Sequence, residues 1–188
     1  MTGIEMTFNS DTLIQSLIPL ITTLVSLFFT ASVFRQYSQR RKIYQFIWGT
    51  GLLIFSFTTL LEFISEIKGW SMPMYRVYYV LIASLVAILG LGTVYLFNRR
   101  AGWHFTVYFA VVMAALIIST LNADIASEKL KERTVGGSAM PANVRTISPF
   151  LTIPGSIALI GGALYSWYIA RRNYIGFIKS EDVIKKRV

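Results

Sequence analysis

The chain has 188 residues, of which 54% are hydrophobic and 14% charged, against roughly 25% charged in an ordinary soluble domain. It has no cysteine, which excludes disulfides, thiolate metal sites, iron–sulfur clusters and cysteine nucleophiles. The net charge of +9 does not point to nucleic acid, because the cations fall between apolar stretches instead of gathering on one face.

Five stretches without Asp, Glu, Lys or Arg cover residues 12–34, 43–61, 77–98, 101–123 and 146–170. Each approaches or exceeds the roughly 20 residues that a helix needs to cross about 30 Å of hydrocarbon. They predict an all-α integral membrane bundle of five transmembrane helices, over 12–34, 43–64, 76–98, 102–123 and 147–170. The bundle forms a single domain over 1–171, with a cap loop over 124–149 and a basic tail over 172–188. Twelve of the 18 basic residues follow spans one, three and five: Arg35, Arg40, Arg41 and Lys42, then Arg99 and Arg100, then Arg171, Arg172, Lys179, Lys185, Lys186 and Arg187. The segment before span one has Glu5 and Asp11 and no cation. The positive-inside rule therefore predicts a multi-pass protein of the cell membrane, with the N-terminus outside and the C-terminus cytoplasmic.

Span one is expected to be an anchor and not a cleaved signal, since Arg and Lys follow it. Pro19 frees a backbone carbonyl that Thr22, Thr23 or a neighbouring helix could satisfy, and Ser26, Thr30 and Ser32 lie further along. Span two opens with Tyr44 and Trp48, placed as interfacial aromatics, and ends in Glu62 and Glu66. The tight turn Lys68-Gly69-Trp70-Ser71-Met72-Pro73 makes spans two and three antiparallel neighbours. Span three begins with Tyr75-Arg76-Val77-Tyr78-Tyr79 and carries Ala83, Ala87 and Gly90 on one face. Asn98-Arg99-Arg100 turns into span four. Residues 124–133 alternate acids and bases at helical spacing and predict a short surface helix. Pro141 and Pro149 bracket a stretch expected to be extended or turn-rich. Span five carries Gly155, Ala158, Gly162 and Ser166 as a second small-residue stripe. The two stripes predict close helix packing, between spans three and five or against a partner. The basic tail could lie on the inner leaflet.

The chemical inventory is narrow. His104 is the only histidine and stands at a helix end, which gives no metal or haem site. No set of acids, bases and nucleophiles converges, and no cofactor is expected. Glu62 stands out because ionisable groups at membrane depth are costly. The hairpin brings it towards Arg76 and the tyrosines of span three, either as a structural ion pair or as part of a polar pocket. Arg145 could fold back onto the same mouth.

Two runs, Arg41-Lys42 through Leu89-Gly90-Leu91-Gly92-Thr93-Val94-Tyr95-Leu96 and Met140-Pro141-Ala142-Asn143-Val144-Arg145 through Gly161-Gly162-Ala163-Leu164-Tyr165-Ser166, resemble an uncharacterised family of multispanning membrane proteins of bacteria and archaea, over residues 41–166. The first half is also faintly similar to the seven-helix membrane input modules of bacterial sensor kinases. Neither resemblance implies a catalytic residue.

These readings converge on a non-enzymatic membrane protein. It would be a small subunit of a membrane assembly or a ligand-binding or sensing module, with an outward-facing mouth built from Glu62, Tyr75, Arg76, Tyr79 and Arg145. Its expected partners are membrane lipid and either further copies of itself or other membrane subunits. A small-molecule or proton-coupled transporter, with Glu62 as the titrating group, and an enzyme acting on lipid or quinone are the alternatives.

Overall fold

The computed structural model describes the backbone of residues 10–131 and 137–185 and the side chains of residues 17–130 and 137–172. The helices are α1 (Ser10–Arg40), α2 (Ile43–Lys68), α3 (Met72–Phe97), α4 (Arg99–Leu121), the single turn α5 (Ala142–Arg145) and α6 (Ser148–Lys185). Among the described residues there is no strand. Among the described residues, five helices are long and apolar enough to cross a membrane.

The distribution of side chains is that of a protein built for lipid. Leu24, Phe28, Val111, Ile118, Ile153, Ile157 and Leu164 are exposed, while Thr23, Ser26, Thr30, Ser56, Thr58, Thr59 and Thr120 are buried. In hydrocarbon there is no gain from hiding leucine, so helices associate through small residues and hydroxyls instead. Most of these hydroxyls bond back to a carbonyl three or four residues earlier, as Ser26 does to Thr23 and Thr30 to Ser26. Thr23 and Thr59 also share a hydrogen bond of 2.9 Å across the α1–α2 seam.

Helix α3 is the hub and packs on α2, α4 and α6, whereas α1 leans chiefly on α2. The predicted stripes of spans three and five face each other. A methyl group on Gly90 would come 2.5 Å from the Gly155 carbonyl oxygen, and one on Gly155 would come 2.6 Å from the Val86 carbonyl oxygen. The two backbones touch there, with Ala83, Ala87 and Gly162 buried along the same contact and Ala158 half-buried. The stripe ends at Gly162, since Ser166 is exposed.

A proline shapes the α4–α6 contact. Pro154 has no N–H, which leaves the Phe150 carbonyl without its helical donor. The Tyr108 hydroxyl of α4 donates to that carbonyl at 2.8 Å. Pro19 is handled differently: Thr22 and Thr23 bond to the carbonyls of Ile18 and Pro19, not to the one at position 15 that the proline frees.

Four local expectations are corrected. Trp48 is not an interfacial anchor; its indole N–H donates to the Leu89 carbonyl at 3.1 Å and staples α2 to α3. The segment after α4 is not a surface helix as far as it is described. It runs irregularly to a 3-10 turn at Lys129–Lys131, because the chain folds back and buries Ala123, Ile125 and Leu130 against the bundle. Residues 142–145 form a helical turn, α5, which sinks Val144 completely. The tail does not break from span five, since α6 continues to Lys185. The residue 1–9 part of the N-terminal tail, and residues 132–136 of the cap, lie outside the described residues.

Topology gives the bundle two unlike ends. The cap end gathers the α2–α3 turn and the loop between α4 and α6. The basic end gathers the α1–α2 and α3–α4 turns.

Candidate functional site

The cap end is organised by the α2–α3 hairpin. Gly69, at φ 78°, holds a left-handed conformation open to glycine, and its N–H closes α2 onto the Ser65 carbonyl at 2.8 Å. Proline in the first turn of α3 then starts the return helix. This turn folds Trp70 onto the aromatic start of α3, with ring centroids 5.6 Å from Tyr75 and 4.8 Å from Tyr78. Tyr79 packs 6.5 Å from Tyr75.

These rings form a plug. Tyr75 is 0% exposed, and Tyr78 and Tyr79 are buried beside it. The cap closes over them: the Tyr75 hydroxyl bonds to the backbone of Ala139 and lies within electrostatic reach of Arg145. Gly137 sits above Tyr79, close enough that an added methyl would touch the ring at 3.6 Å. Arg145 itself is exposed on α5. The mouth expected from the sequence is thus filled with tyrosine and covered by the cap.

The charged residues separate. Glu62 is half-buried and accepts a hydrogen bond of 2.5 Å from the Tyr78 hydroxyl. Arg76 points the other way and donates through Nη2 to the Ala123 carbonyl at 2.9 Å, tying α3 to the start of the cap. The expected Glu62–Arg76 pair does not form. The antiparallel register explains why, because 62 and 78, not 62 and 76, stand equally far from Trp70 at the turn.

Three buried polar atoms at this end have no partner: Glu66 Oε2, Arg76 Nε and Thr120 Oγ1. Buried polar atoms are nearly always bonded, so three together at one end is unusual. Arg76 and Thr120 also line the same cavity of about 260 Å³ between α3 and α4, whose other walls are Val77, Val80, Leu81, Ile117 and Leu121. The slot is apolar where it opens between the two lipid-exposed helices, and the arginine donor and threonine hydroxyl lie buried behind its wall.

Sequence reasoning named Glu62, Tyr75, Arg76, Tyr79 and Arg145 and placed Tyr78 in the tyrosine cluster near Glu62, but it did not single out Tyr78 as the partner of Glu62 and did not include Trp70 or Thr120. Glu66, at the end of span two, is partly buried in the fold. Counting outward from the hairpin would have paired Glu62 with Tyr78. Thr120, near the end of an apolar span, gives no sequence signal. Among the described residues there is no group of three His, Asp or Glu that could hold a metal ion. Comparison with models of protein families, with curated proteins and with solved structures finds no match, so the family resemblance of the two sequence runs carries no assignment.

Proposed function

We propose that this is a non-enzymatic ligand-binding or sensing protein of the membrane, and that its ligand is an amphiphile seated between α3 and α4 at the cap end. The observation that carries this reading is the apolar cavity between α3 and α4, behind whose wall Arg76 Nε and Thr120 Oγ1 lie buried and without a partner. Leaving such atoms unbonded costs about 1–3 kcal/mol each. A ligand that fills the slot from the lipid side with an apolar tail and carries a hydrogen-bond acceptor would satisfy both where α3 and α4 part enough to admit the acceptor. Lipid carbonyls, phosphates and quinone carbonyls share that chemistry.

The aromatic plug supports binding over conduction. Trp70, Tyr75, Tyr78 and Tyr79 occupy the centre of the mouth, and Glu62 is held by one of them. Binding at Arg76 would be felt by the cap directly, because the same guanidinium holds the Ala123 carbonyl. That link is what a sensing role requires, a contact shared by ligand and a separable element.

The test is native mass spectrometry of the full chain purified in mild detergent. The wild type is expected to retain a small amphiphile and the Thr120→Val variant to lose it while remaining folded. A wild-type chain that carries nothing, under conditions that keep bulk lipid adducts, contradicts the proposal.

A further inference from the structure

The opposite end of the bundle carries a second site of different chemistry. Two adjoining depressions of about 500 and 640 Å³ lie there, and they share Ile43, Tyr95 and Arg99. Arg41 and Lys42 line the first, and Arg100, Trp103 and His104 line the second. Among the described residues no carboxylate lines either one. Four permanent cations of the described residues are thus held around one continuous groove.

The groove is built, not incidental. The Asn98 side chain caps α4 by accepting from the Arg100 and Ala101 N–H groups at 2.9 and 3.2 Å, which fixes the α3–α4 turn and the start of the cations that follow it. The shared wall, Tyr95, is locked by a 3.0 Å hydrogen bond to Thr106. Arg41 is the one described residue other than glycine with positive φ, at 52°. Glycine would hold that conformation at no steric cost, so an arginine there keeps its side chain at the expense of backbone ease. Its guanidinium lies 5.8 Å from the centre of the Tyr37 ring, at the rim of the groove.

We propose that this groove binds one anionic phospholipid, with the phosphate among Arg41, Lys42 and Arg99 and an acyl chain along Ile43 and Trp103. Depth favours lipid over a soluble anion. The groove sits where the charged turns meet the apolar spans, at the level of headgroup phosphates. Its apolar walls would face an acyl chain and give nothing to free phosphate. Arginine suits the task because its planar fork meets a phosphate through two donors at once.

The test uses the full chain in detergent doped with equal amounts of phosphatidylglycerol and phosphatidylcholine, read by native mass spectrometry. The wild type is expected to retain phosphatidylglycerol preferentially. An Arg41→Gly, Arg99→Gln double variant is expected to lose that preference by about tenfold or more. Arg41→Gly alone eases the backbone, so it is expected to keep the thermal midpoint and still weaken retention, which separates lost binding from lost folding. Arg171→Gln with Arg172→Gln removes the same charge elsewhere and is expected to leave the preference intact. Equal retention of the two lipids, equal loss in the Arg171 and Arg172 variant, or displacement of phosphatidylglycerol by millimolar inorganic phosphate each overturns the proposal.

Discussion

Single hydrogen bonds decide how this bundle handles its awkward groups. Tyr108 supplies the donor that Pro154 removes from α6. Tyr108→Phe should cost about 0.6 kcal/mol, the usual size of a side-chain hydrogen bond between membrane helices, and unfolding in mixed micelles would read it. Tyr78→Phe should cost more, about 1–3 kcal/mol, because it strips a donor from the half-buried Glu62 carboxylate. A Glu62→Gln, Tyr78→Phe double variant should then recover part of that loss, since a neutral amide is cheaper to leave under-bonded; equal destabilisation in both backgrounds would show that the bond contributes nothing. Thr120→Val is the contrasting case. Its hydroxyl has no partner, so the isosteric change should leave the unliganded protein as stable or more stable.

Glycine sets the distance between elements. The α3–α6 contact brings two backbones together, and Gly155→Ala would push a methyl to 2.6 Å from the Val86 carbonyl oxygen. Overpacking of this kind costs about 1–3 kcal/mol. Gly161→Ala is its internal control: nothing lies within 4 Å, so the change should stabilise α6 by roughly 0.5–1 kcal/mol through helix propensity alone. Equal effects at the two positions, measured by thermal unfolding, would mean that the contact does not hold the helices together. The elements that sequence made legible are those governed by local rules. Span lengths follow from runs without charge, and the facing stripes of α3 and α6 follow from helical spacing. The cap was not legible, because its path depends on burying Ile125, Leu130 and Val144 against tyrosines far away in the chain. Trp48 was misplaced for a related reason: an aromatic near a helix end looks the same in sequence whether it meets a headgroup or, as here, a carbonyl of the next helix.

At the scale of the whole molecule, successive turns alternate between the two ends of the bundle and so separate two chemistries. The capped end holds buried, unpartnered polar atoms and an aromatic plug, and the basic end holds an open cationic groove. In the candidate site, Glu62 and Arg76 were legible as costly charges near a hairpin, but their partners were not, since register and not proximity in sequence assigns them. The whole arrangement depends on the cap and the basic turns lying on opposite faces of the membrane. The absence of cysteine allows a direct test with single introduced thiols. Ser127 in the cap and Ser38 near the end of α1 are both exposed and serve as sites. In intact cells, a membrane-impermeant maleimide should label Ser127→Cys from outside and reach Ser38→Cys only after permeabilisation. Labelling of both positions from the same side would contradict the five-crossing account and with it the separation of the two sites.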